Sequence, residues 1–346
     1  MGKKAVILYF HSIMFISSLV LLILSIWGYL SADIDPTTNI YSYFISLILP
    51  GILVGNTIFV AYFGVRLKVW ILIPIAALAI NFSFIGSMFQ FRLDQPSSSN
   101  KEKTIRIASY NVHYFSFDKE YTIYQIANTF IDNEIDIICF QEYIEPHDNR
   151  YENISDAMKA YPYFAIYNGS TDSTRLAIFS RYPVTNSGKI EFEGSNNGAM
   201  WADIKVSNSF EFRVFNNHLQ TTGMTSARKY GIPEKFKILS ENAIMRTRQA
   251  IEIRNCIDTT LLPIIVTGDF NDTPSSFVFN RIKGPNLIDG FKEAGSGYGS
   301  TFRWFKKLLR IDFIIHSKEF KTTQYRTLDL DLSDHKPVIA EMEYQN

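Results

Sequence analysis

The sequence predicts an α+β protein in which a domain of packed sheets follows three membrane-spanning helices. Three observations lead there. The first 99 residues are almost free of charge, the remainder is charged like a soluble domain, and in that remainder short apolar runs bounded by turn residues outnumber helical patterns. Whole-chain averages conceal this division, since 346 residues carry 34 Lys+Arg and 34 Asp+Glu with 47% hydrophobic residues and a mean hydropathy of −0.00. Up to residue 99 the charged groups are Lys3, Lys4, Arg66, Lys68 and Arg92 with Asp33, Asp35 and Asp94, which leaves 29 basic and 31 acidic residues for the other 247. That second part is about 24% charged, near the ~25% of soluble domains. Its slight acidic excess gives no electrostatic support for binding bulk nucleic acid, which rests on a surplus of Lys and Arg.

The elements follow in chain order. Residues 5–30, 40–65 and 69–91 form three runs free of Asp, Glu, Lys and Arg, each long enough for the ~20 residues that cross a bilayer as a helix. A soluble buried helix would carry charge on one face, and these do not. The first run is longer than the apolar core of a secretory signal and is followed by further spans, so an uncleaved anchor is expected. Lys3 and Lys4 precede the first span, Asp33 and Asp35 lie in the first loop, and Arg66 and Lys68 lie in the second. The positive-inside rule then puts the N-terminus in the cytoplasm and everything after the third span on the extracytoplasmic side. The anchor is assigned to residues 1–94 and the polar stretch 95–103 (QPSSSNKEK) to a flexible linker, which leaves 104–346 for the second domain.

In that domain strands are expected at 105–109, 135–140, 176–180, 200–206, 210–216, 264–267, 311–316 and 338–342. Ile123, Ile126, Ala127, Phe130 and Ile131 have the spacing of a helix face, and a second helix is expected from near Pro233 to Ile257. Cys139 and Cys256 lie far apart and are expected to be buried free thiols.

Polar residues gather at the ends of these strands. Asn111 and Glu142 close the first two, His218 follows the strand at 210–216, Asp269 and Asn271 follow Val266-Thr267-Gly268, Asp312 sits in the next strand, and Asp334-His335 precede the last. Carboxylates in such a cluster suit a hard cation such as Mg²⁺ or Mn²⁺, whereas the closely spaced His and Cys pairs that zinc prefers are missing. Taken singly, each residue is more often a turn or cap residue than a catalyst.

The ordered set Ser109-Tyr110-Asn111-Val112, Phe140-Gln141-Glu142, Ala177-Ile178-Phe179-Ser180-Arg181-Tyr182-Pro183, Asn217-His218-Leu219-Gln220-Thr221, Thr267-Gly268-Asp269-Phe270-Asn271, Arg310-Ile311-Asp312-Phe313 and Ser333-Asp334-His335-Lys336-Pro337 resembles the endonuclease/exonuclease/phosphatase superfamily, with its deoxyribonuclease I-like fold. The resemblance spans residues 105–343. It implies a four-layered α/β/β/α sandwich and metal-dependent hydrolysis of phosphate esters. It also implies roles. Glu142 would be the main metal ligand, with Asn111 and Asp334 beside it, and Asp269 with Asn271 would orient or deprotonate water. His335 would protonate the leaving oxygen or stabilise the phosphate with Asp312 fixing its tautomer, and His218, Asn111 and Asn271 would contact the substrate. The family commonly has a glycine before the Ala-Ile-x-Ser-Arg motif where this chain has Thr174-Arg175-Leu176, and Arg175 reads as a substrate-phosphate contact or a surface residue, the surface reading being favoured. The acidic partner that some members place against the first histidine is not evident, and His113 and His147 receive no role.

The expected partners are therefore a phosphate-ester substrate and the lipid bilayer, with no protein partner inferable. Tether and charge favour a lipid or small phosphorylated substrate. A nuclease is the alternative, and an inactive binding module a weaker one, given that every acid, amide and histidine of the motifs is retained. The loop at 295–310 is expected to lean on the membrane, stack on substrate or pack on its own sheet.

Overall fold

The first two apolar runs form unbroken helices, α1 (Lys3–Leu30) and α2 (Ile40–Val65). The computed structural model describes residues 3–92, 103–115, 122–144, 154–167, 175–304 and 308–345. Most of the expected linker, together with His147, Thr174 and residues 305–307, lies outside the described residues. Asn39 caps α2 by accepting from Tyr41 N. Tyr9–Leu30 and Ile40–Val65 each have the length and hydropathy of a membrane span.

The third run departs from a single straight span. It folds as α3 (Leu72–Ile80) and α4 (Phe82–Met88), and Val69–Ile80 is bent by 60° from Phe82–Met88. The break falls at Asn81, whose Nδ2 donates to Ala77 O at 3.0 Å and to Ser25 O of α1 at 3.1 Å. A side chain competing for ladder carbonyls is a recognised cause of such breaks. The anchor therefore has two helices able to cross a membrane, or three spans if the bent pair counts as one.

After the anchor come β1 (Phe89–Gln90), β2 (Thr104–Asn111), α5 (Thr122–Asp132), β3 (Ile137–Tyr143), α6 (Ile154–Ala157), β4 (Tyr163–Tyr167), β5 (Arg175–Ser180), β6 (Val184–Glu191), β7 (Gly198–Lys205), β8 (Glu211–His218), α7 (Ile232–Asp258), β9 (Ile264–Asp269), α8 (Phe277–Lys283), β10 (Ile288–Asp289), α9 (Gly290–Ala294), β11 (Gly297–Tyr298), β12 (Asp312–His316), β13 (Phe320–Thr327) and β14 (Val338–Tyr344). Two six-stranded sheets result, ordered β13-β14-β2-β3-β5-β4 and β10-β12-β9-β8-β7-β6. Within them β2 and β3 are parallel and joined through α5, β8 and β9 are parallel and joined through α7, and the other neighbours are antiparallel. Parallel neighbours need crossover connections, which is why helices lie outside both sheets.

Side-chain alternation builds the layers. In β2, Ile105 and Ile107 face the other sheet with Ile137, Val214, Ile265 and Ile314, while Ala108 and Tyr110 face α5 through Ile126 and Phe130. On the far side Val266 and Phe313 pack against Ile253 and Ile257 of α7 and Phe279 of α8. The outcome is the four-layered α/β/β/α sandwich. Cys139 and Cys256 are free thiols, the first buried and the second half-buried.

Anchor and sandwich are in direct contact. Arg246 of α7 donates from Nη2 to Tyr43 Oη at 3.1 Å, Ser275 Oγ donates to Ser46 O at 3.0 Å, and Phe44 stacks on Phe236 with centroids 4.7 Å apart. Arg310 donates from Nη1 to Ser87 O at the end of α4 (2.8 Å), and β1 pairs with β11. Both guanidinium groups are fully buried. These contacts gather at the end of the bundle where α1 stops and α2 starts, while Arg66 and Lys68 follow the opposite end of α2.

Candidate active site

The topology brings the predicted polar residues to one end of the sandwich. Parallel β2 and β3 end at Asn111 and beside Glu142, and parallel β8 and β9 end at His218 and Asp269. Antiparallel β12 starts at Asp312 directly opposite Asp269, and Val338 of β14 pairs with Ser109, so Asp334 and His335 lie just past that edge. Sites where several strands terminate are held rigidly. Gly268 has φ of +131°, and a Cβ there would lie 2.0 Å from Asn217 O, so only glycine brings Asp269 this close to β8. Glu142 and Asn271 hold left-handed φ values of 51° and 52°, a strain that concentrates at functional sites.

Asp269 lies at the centre and is buried. Asn271 donates to it from N (2.8 Å) and Nδ2 (3.2 Å), and Asn111 Nδ2 donates at 3.1 Å to Asp269 and at 3.2 Å to Glu142. His335 Nε2 and His218 Nε2 lie 3.6 and 3.7 Å from Asp269 Oδ2. Burial pushes the Asp269 carboxyl up, against the opposing pull of His335. His335 Nδ1 faces both oxygens of Asp312 at 3.1 and 2.9 Å. Burial works against charge on this imidazole, but Asp312 and Asp269 outweigh it and hold the ring protonated up to about 10. His218 is different. Burial pushes it down, and its buried Nδ1 has no hydrogen-bond partner among the described residues.

Glu142 would be raised by burial alone, yet His113, His218 and Asn111 pull it down to about 2. His113, to which the sequence assigns nothing, stands inside the site. Its Nδ1 is 3.4 Å from Glu142 Oε2 and 3.6 Å from Asp334 Oδ1, so a cationic or polar group already lies where two expected metal-ligand carboxylates converge. It is carried there by a left-handed turn at His113, Tyr114 and Phe115 (φ 44°, 57° and 53°) that no residue pattern announces.

A second group that could hold an ion is Asp269, Asp312 and His335, whose ligand atoms lie within 4.8 Å of one another. Asp312 is engaged with His335 Nδ1, so this trio is better read as a carboxylate–histidine pair facing a carboxylate. Glu142 and Asp334, whose oxygens lie 3.4 and 3.6 Å from His113 Nδ1, offer a further pair of carboxylates beside this trio. Asn111 Oδ1 accepts from His113 N at 3.1 Å while its Nδ2 bridges Glu142 and Asp269.

Beneath these residues Gln141 Nε2 donates to Asn216 Oδ1 at 2.7 Å and to Ser109 Oγ at 3.1 Å, and Asn216 Nδ2 donates to Phe140 O and Ala177 O. This buried network locks β3 to β8 across the two sheets, a support that the sequence does not reveal. Ser333 Oγ donates to Asn111 O at 2.7 Å and accepts from His335 N at 3.2 Å, pinning the last loop. Arg175 is half-buried at the start of β5, paired with Tyr143, the residue after Glu142. In its described part the 295–310 loop packs on its own domain and on the end of the N-terminal region. Gly297–Tyr298 pairs with the anchor strand, Phe302 packs on the His335 ring at 4.9 Å, and Trp304 is exposed.

Comparison with known proteins agrees with this geometry. A domain of unknown function (DUF8431) matches residues 11–88. No curated protein matches the chain. An endonuclease/exonuclease/phosphatase family protein from Bacteroides thetaiotaomicron is 18% identical, with 70% of this chain and 98% of that one covered at a TM-score of 0.54. D. rerio TDP2 complexed with single strand DNA product is 16% identical over 69% of this chain and 99% of that one, at 0.54. The human Nocturnin catalytic domain with bound sulfate is 17% identical over 70% and 95%, at 0.51. Since the family model matches residues 108–335, the chain belongs to the Endonuclease/Exonuclease/phosphatase family, whose members are divalent-metal-dependent hydrolases of phosphate esters.

Proposed function

We propose that this chain is a membrane-tethered phosphodiesterase or phosphatase acting on a lipid or another small phosphorylated substrate, with its catalytic domain on the extracytoplasmic side. The observation that carries the reading is the convergence of Asp269 with Asn271, His218 and the His335–Asp312 pair at one strand-end site. Asp269, raised by burial, takes the proton of the attacking water, which Asn271 helps to orient. His335, kept charged by Asp312, faces the phosphoryl oxygens or gives its proton to the leaving oxygen. His218, neutral, donates one hydrogen bond to a non-bridging oxygen. Glu142 and Asp334, with Asn111 adjoining, would hold a Mg²⁺ or Mn²⁺ ion, which when bound offsets the charge that spreads over the phosphoryl oxygens in the transition state.

The lipid-proximal substrate is supported by the docking of the sandwich on the anchor and by the absence of a basic surplus. Orientation is supported by Arg66 and Lys68 following the end of the bundle opposite the docked domain. The test is a hydrolysis panel in Mg²⁺ or Mn²⁺ comparing lipid phosphodiesters, inositol phosphates, nucleotides and plasmid DNA. Turnover of lipid or small phosphate esters is expected. Turnover of DNA alone would replace this reading with the nuclease one, and no turnover of any ester would leave a binding module. A C-terminal reporter active only in the cytoplasm would reverse the orientation.

A further inference from the structure

Helix α7 meets the anchor at three places along its length. Phe236 near its start stacks on Phe44 of α2, Arg246 in its middle donates to Tyr43 Oη, and Arg254 near its end lines a cavity of about 460 Å³ together with Asp33, beyond the end of α1. A helix with such contacts runs across the end of the bundle, and with α1 and α2 as spans it lies near the plane of the bilayer surface. With 26 residues α2 is ~39 Å long against ~30 Å of hydrocarbon. Its first turn, which carries Tyr41 and Phe44, therefore falls at the headgroup boundary, a depth that aromatic side chains favour. Phe236 is held at that depth, with ring centroids 4.7 Å from Phe44 and 6.3 Å from Tyr41.

The chain around the start of α7 departs from the rest of its domain in charge. Residues 226–237 (SARKYGIPEKFK) carry Arg228, Lys229, Lys235 and Lys237 against Glu234 alone, in a domain with a slight acidic excess. None of the four cations forms an ion pair among the described residues, and Lys229 Nζ lies over the Tyr230 ring at 5.1 Å. Between them stand Tyr230, Ile232 and Phe236, which are 43%, 83% and 41% exposed. Ile232 and Phe236 are four residues apart on one helix and share a face, so the face that meets the anchor at Phe236 continues one turn further, uncovered, at Ile232. Apolar side chains on the membrane side with Lys and Arg around them are the pattern of an interfacial segment, whose cations reach anionic headgroups while its apolar groups enter the acyl boundary.

We propose that residues 228–237 form a second membrane contact, in which Ile232 and Phe236 enter the bilayer beside α2 and Arg228, Lys229, Lys235 and Lys237 bind the headgroups of anionic phospholipids. Ala227 N donates to Gly223 O at 2.9 Å, five residues past His218, so the seated segment holds the candidate site beside the same lipid surface. The inference rests on α1 and α2 being membrane spans and is independent of the hydrolase reading, because its readout needs no turnover.

The full chain, with Cys256→Ser to remove the half-buried thiol, is reconstituted in nanodiscs with a nitroxide at Ile232→Cys. Power saturation compares collisions with oxygen, which concentrates in lipid, and with a water-soluble nickel chelate. In phosphatidylglycerol discs the 232 label should meet oxygen in preference to nickel, whereas a label at Lys159→Cys, exposed on the opposite helical layer, should meet nickel. Each basic residue near an anionic surface is worth about fivefold in occupancy. Arg228→Glu/Lys229→Glu should therefore lower the seated fraction at least about 25-fold and bring the 232 label to the nickel exposure of the 159 label, and phosphatidylcholine discs should shift it the same way. Equal nickel exposure at 232 and 159 in phosphatidylglycerol would overturn the proposal, as would a 232 label unmoved by the charge reversal or by the change of lipid. Should the double variant not fold, the comparison of the two lipids still decides. Immobilisation of the label by single-stranded DNA without lipid contact would give the patch to nucleic acid and overturn the membrane contact. A nitroxide at Val54→Cys, exposed on α2, separates this failure from that of the spans, since nickel exposure there would remove the spans themselves without touching the hydrolase reading.

Discussion

Replacing Arg246 by methionine probes the junction between anchor and sandwich at its most buried point. The Arg246 guanidinium is fully buried and donates to Asp272 Oδ2 (3.3 Å), Gln220 O (3.1 Å) and Tyr43 Oη (3.1 Å). Methionine preserves most of the volume but strands Asp272, itself 4% exposed, as a buried carboxylate without its cation. Breaking one partner of a buried pair costs about 3–5 kcal/mol. The lower part of that range applies, because burial already pushes the Asp272 carboxyl up and it can take a proton. A loss of ~3 kcal/mol lowers Tm by about 6–12 °C in a domain of this size. Tyr43→Phe removes only the acceptor on the anchor side and should cost about 1–2 kcal/mol, or roughly 2–8 °C. The two substitutions share one hydrogen bond, so the double variant should lose less than the sum. Thermal unfolding of the detergent-solubilised chain, followed by tryptophan fluorescence, reads all three. A loss under about 2 °C in Arg246→Met, or strictly additive losses, would refute the account of a buried ionic joint tying α2 to α7.

Three further outcomes follow from the site. Asp312→Asn should lower kcat by about 10²–10⁴. Because His335 is raised, its paired charge is present below the ordinary histidine value and is lost as pH rises through about 10, so the alkaline limb of the pH–rate profile should move to lower pH in the variant; an unmoved limb would detach His335 from the acid role. Glu142→Gln should keep Tm within a few degrees of the parent and raise the Mg²⁺ or Mn²⁺ concentration needed for half-maximal rate by at least about tenfold, as loss of one charged ligand predicts, whereas unchanged metal dependence would move the cation elsewhere. Gly268→Ala should destabilise by more than about 2 kcal/mol and abolish turnover, since its Cβ would drive into Asn217 O; a fully folded, active alanine variant would contradict that contact.

What the sequence displayed depended on burial on both sides of an element. Strands β3, β5, β9 and β12 lie between two hydrophobic layers and read as short apolar runs, while β2 and β8 begin with an alternation of buried apolar and half-buried polar residues. Edge strands did not. In β6, Val-Thr-Asn-Ser-Gly-Lys-Ile-Glu buries Ile190 alone, and in β13 the buried residues Phe320, Thr322 and Tyr325 are interrupted by a register shift between Thr322 and Gln324. The break at Asn81 was equally hidden, because one uncharged polar residue barely lowers the hydropathy of an apolar run. Asn111, Glu142, His218, Asp269, Asn271, Asp312, Asp334 and His335 were visible because strand ends and ordered motifs mark them. His113 and the Gln141–Asn216 network were not, since one depends on a local left-handed turn and the other on two sheets meeting.

The polar stretch near residue 100 implies a loose tether, but the contacts on either side of it imply a fixed orientation. Arg246 reaches Gln220 O, two residues past His218, and Asp272, three residues past Asp269, while its third bond goes to Tyr43 on α2. Arg310, two residues before Asp312, is held by Asp289 and by Ser87 O at the end of α4. Thr301 Oγ1 accepts from the backbone N of Ile311 and Asp312, and Thr301 O accepts from Lys336 N, so the loop that begins by pairing with β1 ends as the frame around Asp312 and His335. The Asp269 loop and the segment before Asp312 thus each have a partner in the anchor within a few residues, and the His335 loop is joined to it through Thr301 and Gly299. Misplacement of a reacting group by about 1 Å can cost 10²-fold in rate. An enzyme built this way should lose turnover when the anchor is perturbed before its sandwich unfolds, which is the order of events that distinguishes a docked anchor from a leash.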